Sequence, residues 1–316
     1  MQTALGLSIA ESSALTRRVT TISVGVAAVL IVIKGLAWTQ SGSVALLASL
    51  ADSCLDLLAS LATFFAVRYA AAPPDAEHRY GHGKAEAFAS LMQAGLVFAS
   101  AALIGQEAVR RIASPTPITA EGWAMAVMAV SVVLTLVLIT AQSRVLKKTA
   151  SVAVSGDRAH YAADLASNLV AFLGIGAAAL FDRPWIDAAA GLIVAAWLVW
   201  GAIGVFRQSS SQLMDHELSE DARARIVALA TDDGRIRGVH QLRTRAAGPV
   251  IHIQLHADLD PAISLTEAHK AMIDAENRIL AAFPAADIII HPDPSGRAEA
   301  HGGAFAELAH DREPSR

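Results

Sequence analysis

Along the first two-thirds of the chain, apolar positions run together instead of alternating with polar ones. Six stretches stand out, approximately Val19 to Trp38, Ser43 to Val67, Ala85 to Val109, Trp123 to Ala141, Ser151 to Phe181 and Ile186 to Phe206. A membrane-crossing helix needs about 20 mostly apolar residues, because the hydrocarbon layer is about 30 Å thick and each residue rises about 1.5 Å. The first stretch is too long for a secretory signal, lacks a convincing small-residue cleavage site, and is followed at once by another span, so it is expected to persist as a helix. After residue 208 the long apolar runs stop. The remainder reads as α-β-β-α-β: a helix capped by Ser219 and running to about Thr231, strands at His240 to Arg245 and Val250 to Leu259 around a Gly248-Pro249 turn, a helix starting at Ser264, and a strand from Asp287 to His291. The pattern predicts a membrane α-helical protein. Residues 1–208 form a six-helix transmembrane domain, 209–295 a C-terminal α/β domain, and 296–316 a polar tail expected to be disordered.

Composition agrees with that division. Of 316 residues, 54% are hydrophobic and 17% charged, which excludes a disordered chain. With 25 basic against 29 acidic residues there is no positive field to attract a polyanion, and no nucleic-acid partner is expected. The single cysteine, Cys54, excludes an intrachain disulfide and any cysteine-based zinc or iron–sulfur cluster, leaving His, Asp and Glu as metal ligands. Orientation follows from the basic residues that flank the spans. Placing both termini in the cytoplasm puts nine inside (Arg17, Arg18, Arg68, Arg79, Lys84, Arg144, Lys147, Lys148 and Arg207) and three outside (Arg110, Arg111 and Arg183). Neither a Gly-x-x-x-x-Gly-Lys-Ser/Thr loop nor an Asp-Lys-Thr-Gly motif is present, so ATP is not expected to drive the protein.

Ionisable residues at membrane depth change the picture most. Asp56 is 13 residues after Ser43 and 12 before Arg68, and Asp164 is 16 after Lys148 and 18 before Asp182, so both fall near mid-span. Asp52 and His160 lie one turn away, giving two i, i+4 pairs that each share a helix face. Such charges are costly in a bilayer and need cations or protons to offset them. One imidazole and three carboxylates suit tetrahedral zinc. Cys54 lies about 200° around the helix from both aspartates and is expected to be a small core residue.

These residues carry a family resemblance. The run Ser41-Gly-Ser-Val-Ala-Leu-Leu-Ala-Ser-Leu-Ala-Asp52-Ser-Cys-Leu-Asp56, then His78-Arg-Tyr-Gly-His82-Gly-Lys-Ala-Glu86, Ser114-Pro-Thr-Pro117, His160-Tyr-Ala-Ala-Asp164 and His291-Pro-Asp293 resemble the cation diffusion facilitator family, in particular its bacterial zinc and iron efflux members. The resemblance implies that Asp52, Asp56, His160 and Asp164 form the transport site of a proton-coupled divalent-metal exporter. It implies further that the protein works as a homodimer in the bacterial inner membrane. It implies that Asp75, His78 and His82 form a second metal site, in the loop after the second span. It also implies that His240, His256, His269, His291 and Asp293 bind metal in a ferredoxin-like, metallochaperone-like cytoplasmic domain. His252 matches no family ligand and is expected at a surface or interface, and His301 and His310 are incidental to the tail.

The expected function is therefore export of a divalent cation from the cytoplasm in exchange for protons. Zinc is the expected substrate and also a bound regulatory ion, with cadmium and ferrous iron as other candidates; the lipid bilayer is the remaining partner. His160 supplies the exchange chemistry, because proton and metal compete for one nitrogen near neutral pH. Two alternatives differ in class. A membrane metal sensor would report occupancy without transport. An intramembrane zinc hydrolase would keep three ligands and an open position, and no His-Glu-x-x-His is present. The protein is accordingly not expected to be an enzyme.

Overall fold

A computed structural model describes residues 7–41, 44–113, 122–181 and 185–296. The tail from residue 297 on, the Ser114-Pro-Thr-Pro117 motif and Asp182 and Arg183 lie outside the described residues. Six long helices come first: α1 (Ile9–Ser41), α2 (Val44–Ala70), α3 (Ala85–Ala113), α4 (Gly122–Thr149), α5 (Val152–Phe181) and α6 (Trp185–Leu213). Among the described residues, five helical segments are long and apolar enough to cross a membrane: Ile9–Gln40, Ser49–Ala70, Ala85–Arg110, Ala126–Thr149 and Ala188–Leu213. The remaining helix, α5, has 30 residues, and its first half is made polar by Asp157, Arg158, His160 and Asp164. Helix α6 continues past residue 208 to Leu213, because Gln208-Ser-Ser-Ser-Gln212 carries it beyond the apolar run without a breaker.

The bundle is inverted relative to a soluble protein. Val32, Leu58, Phe65, Leu103, Val137, Ile193 and Trp200 stand exposed, as a lipid-facing surface requires. Many polar side chains are buried instead: Ser23, Ser53, Ser60, Thr63, Gln93 and Gln142 are all nearly inaccessible, alongside apolar residues such as Leu138 and Val97. Without a hydrophobic drive between helices in lipid, close backbone approach and hydrogen bonds hold them together. Helices α3 and α6 meet through such small residues, since a Cβ on Gly105 would touch that of Ala195 at 3.7 Å and one on Gly191 that of Ala108 at 3.2 Å. Helices α3 and α5 cross more tightly still, because a Cβ on Gly156 would lie 2.9 Å from Ser90 Cα.

The C-terminal domain follows the expected order: α7 (Glu220–Thr231), β1 (Gly238–Ala247), β2 (Val250–Leu259), α8 (Leu265–Ala282) and β3 (Ala286–Pro294). Strands β1 and β2 are antiparallel, and β2 and β3 are parallel neighbours joined through α8, so the sheet order is β1-β2-β3. On β2, Ile251, Ile253, Leu255, Ala257 and Leu259 alternate onto the inner face, where they pack on Ile226 of α7 and on Ala271, Ala275 and Ile279 of α8. Ser264 opens α8 with a complete capping box to Glu267. Ser219 occupies the corresponding position before α7 but its side chain makes no cap hydrogen bond, so that helix starts without the side-chain cap expected of it.

The loop between α2 and α3 is seated on this domain. Gly83 abuts the β1–β2 turn so closely that a Cβ there would fall 2.0 Å from the carbonyl oxygen of Ala247. The turn itself depends on Gly248, at φ +58°. Lys84 Nζ lies 3.0 Å from Asp215, which also accepts from Arg245 at 3.1 Å.

Candidate metal centre

The membrane cluster is built from α2 and α5. Successive turns of α5 present Asp157, His160 and Asp164, and α2 presents Asp56 towards them. His160 is buried, with Nε2 3.1 Å from Asp56 Oδ1 and 3.7 Å from Asp164 Oδ2. One ligand atom each from Asp56, His160 and Asp164 lies within 4.8 Å of the others, which is the spacing of ligands around one ion. Asp164 Oδ2 and His160 Nδ1 are buried without a hydrogen-bond partner. Asp52 is one turn from Asp56 on the same helix but exposed, and it stays outside that three-residue cluster. Cys54 is exposed rather than in the core, because the face of α2 opposite the aspartates points out of the bundle.

The loop brings Asp75, His78 and His82 together. Asp75 Oδ1 accepts from the backbone N–H groups of His78 (2.6 Å) and Glu77 (2.9 Å), and its two oxygens lie 3.2 Å from His78 Nδ1 and 3.1 Å from His82 Nε2. Donation by the His78 backbone is the main reason its carboxyl is held below the ordinary range, so Asp75 is ready to bind a cation without first losing a proton. His82 is buried against Tyr69, with ring centroids 4.3 Å apart.

Sheet register builds the third cluster. His240 pairs with His256, and His256 with His291, so three imidazoles form a row across the outer face of the three strands. A bulge between His240 and Arg243 re-aims the end of β1. Asp293 collects the row: its Oδ2 lies 2.8 Å from His256 Nδ1 and 3.2 Å from His240 Nε2, and its Oδ1 3.3 Å from His291 Nε2. His240, His256 and Asp293 meet the one-ion spacing. His269 stands exposed on α8, away from that face within one chain.

The model of the cation efflux transmembrane domain matches residues 20–214, and that of the cation efflux protein cytoplasmic domain matches residues 218–295. The chain belongs to the cation efflux family. It is similar to the cation-efflux pump FieF of Shewanella oneidensis, with 42% identity over 272 residues covering 86% of this chain and 92% of the relative. The FieF of Klebsiella pneumoniae is 35% identical over 295 residues, covering 93% of this chain and 97% of the other. A solved structure of CzrB, a candidate zinc transporter in its zinc form, matches 27% of this chain and 99% of its own at 32% identity, with a TM-score of 0.26. The chain is thus an integral-membrane transporter for divalent metal efflux, with a C-terminal cytoplasmic dimerisation domain.

Among the described residues of this cation efflux protein, two ionisable groups buried beside the membrane cluster, Lys34 and Asp157, lie outside the sequence motifs. Lys34 of α1 donates to Ser53 Oγ at 2.7 Å and to the Ser49 carbonyl at 3.1 Å, beside the aspartates of α2. Asp157 of α5 is buried one turn from His160. It accepts from Gln142 Nε2 at 2.8 Å and, at 3.4 Å, from Gln93 Nε2 and Ser60 Oγ, with Tyr161 closing the network 2.8 Å from Ser60. Each had a signal: a lone lysine within the first apolar run, and a carboxylate extending the His160/Asp164 face by one turn. His252, expected at a surface or interface, is buried at the seam between loop and domain. Its Nδ1 is 3.1 Å from Asp287, and Tyr80 of the loop meets its ring edge-on at 5.7 Å.

Proposed function

We propose that this cation efflux protein exports zinc in exchange for protons, with Asp52, Asp56, His160 and Asp164 as the transport ligands. The observation that carries the reading is the convergence of Asp56, His160 and Asp164 within 4.8 Å inside the membrane domain. One borderline-soft nitrogen among carboxylate oxygens favours zinc over magnesium, calcium or manganese, while cadmium and ferrous iron remain compatible with the same donors. The contact between His160 Nε2 and Asp56 Oδ1 supports proton coupling: at 3.1 Å the two atoms are within hydrogen-bond distance, and a metal that uses both must displace a proton held between them. On this reading both termini face the cytoplasm across a bacterial inner membrane, in agreement with the nine-to-three basic bias. The loop cluster and the His240/His256/Asp293 cluster, with His291 beside it, hold zinc as a regulatory ion at the cytoplasmic face, and His269, exposed on α8 away from that face, is a further ligand on this reading.

The test is uptake into proteoliposomes under an imposed proton gradient, comparing zinc, cadmium, ferrous iron and manganese. Zinc is expected to move fastest and to acidify the side it leaves. Zinc flux independent of the gradient, or manganese flux equal to zinc flux, would refute the proposal.

A further inference from the structure

The ligand set proposed above has three carboxylates, Asp56 and Asp164 within the membrane cluster and Asp52 one turn away on α2, against a divalent substrate. A fully ionised site would therefore keep one negative charge when loaded, in a medium where net charge is strongly disfavoured. The compensating charge lies on α1. The Lys34 residue is 8% exposed, and its ammonium is anchored by Ser53 Oγ at 2.7 Å and the Ser49 carbonyl at 3.1 Å. Both acceptors are neutral, so they solvate the ammonium without cancelling its charge. Ser53 itself lies between Asp52 and Asp56 in sequence, which fixes the ammonium to the helical turn that carries the ligands. Lys34 interacts electrostatically with Asp56, Asp164 and Asp52 together. Of the helices packed on α1, α2 contributes Asp52 and Asp56, and α5 contributes His160 and Asp164 and, one turn before His160, Asp157, whose carboxylate is engaged by Gln142, Gln93 and Ser60, while α4 has no ionisable side chain from Gly122 to Ser143.

We propose that Lys34 is the tethered counter-ion of the transport site and sets both its charge and its affinity. This rests on the reading of that site given above. With the ammonium in place the ionised cluster carries two negative charges, which one divalent cation neutralises. The same ammonium repels the bound cation and thereby keeps binding weak enough for release on each cycle. Lys34 acts through the carboxylates and is a positioning residue, since its nitrogen is engaged by the serines and not by the ligand atoms.

Zinc flux into proteoliposomes, read as KM and kcat, separates this from a purely structural role. Lys34→Gln and Lys34→Met should lower KM at least tenfold, equivalent to ~1.4 kcal/mol, and lower kcat as release slows. Lys34→Arg keeps the charge and should stay within about twofold of wild type in both. Ser53→Ala removes an anchor but not the ammonium and should leave KM unchanged. A KM that is unchanged or raised in the folded Gln and Met variants would overturn the proposal. So would failure of both to yield a folded dimer, which would make the lysine a helix tether. If wild-type vesicles carry no zinc, or Asp164→Ala carries it as well as wild type, the transport reading itself fails. If that control holds and the Lys34 variants keep the wild-type KM, the counter-ion alone is lost.

Discussion

Replacing Asp164 with alanine should abolish metal flux while leaving the fold at least as stable. Its Oδ2 accepts no hydrogen bond, and His160 Nε2, at 3.7 Å from it, keeps its closer contact with Asp56. Truncation therefore strands no buried donor, and it removes a charge that costs at least about 2.5–3.5 kcal/mol at the bilayer centre. Metal binding responds in the opposite sense. Zinc held by four protein ligands is worth about 10–16 kcal/mol at neutral pH, so an even share is about 3 kcal/mol per ligand, or ~10²-fold in Kd. Titration calorimetry on purified dimer, thermal unfolding and proteoliposome flux together make the assay. The expected combination is a Kd weakened ~10²-fold at the membrane site, flux at background, and an unfolding midpoint that is unchanged or raised. Wild-type flux in the mutant would refute the ligand assignment, and a midpoint several degrees lower would refute the claim that the carboxylate is an electrostatic burden on the empty fold.

Three further outcomes follow from other parts of the molecule. Gly83→Ala places a Cβ 2.0 Å from the Ala247 carbonyl oxygen, where ordinary contact begins at 3.4 Å, so the loop must retreat from the cytoplasmic domain. Overpacking of this kind costs about 1–3 kcal/mol, and spin labels on the loop and the β1–β2 turn should report a longer, broader distance together with reduced flux; an unchanged distance would contradict the tight seat. Ser264→Ala removes the capping box of α8 and should destabilise the cytoplasmic domain by about 0.5–2 kcal/mol, lowering its melting midpoint by several degrees without changing zinc flux. The Arg235 guanidinium at 2.6 Å, with Arg278 at 2.8 Å, holds the Asp233 carboxyl down at about 2. A depressed carboxylate stabilises the fold above its unfolded value of about 3.9 and loses that contribution as pH falls through its folded value, so the domain's melting midpoint should drop between about pH 4 and 2 and Asp233→Asn should flatten that drop.

The architecture was legible because both halves obey simple periodicities. Long, mostly apolar runs mark α1 to α6, and alternation marks β2, where Ile251, Ile253, Leu255, Ala257 and Leu259 face inward. Boundaries were less legible. The strand expected to end at Arg245 continues to Ala247, and the one expected from Asp287 to His291 runs from Ala286 to Pro294, because strand pairing extends regular structure past the residues that favour it locally. Cys54 lies opposite the aspartates and is exposed, so opposition to a ligand face does not mean burial here. In a bundle whose polar face points inward, the opposite face points to lipid.

Within the site, what local spacing can encode was readable and what needs a third helix was not. The pairs Asp52/Asp56 and His160/Asp164 follow from one turn of one helix, but spacing cannot say that Asp56 rather than Asp52 faces His160. That choice depends on how far α2 is rotated against α5, and both carboxylates satisfy the same i, i+4 rule. Lys34 is harder still, since it reaches the cluster from α1 and is 18 residues from Asp52, a separation that no helical periodicity spans. Asp157 could have been found by extending the α5 face one turn, but its role depends on Gln93 and Gln142 from two other helices. A carboxylate solvated by neutral amides and hydroxyls is a different chemical object from one that lacks donors, as Asp164 Oδ2 does. The first is held in place by the fold, and the second is free to take a cation, a distinction that exists only once several helices are packed together.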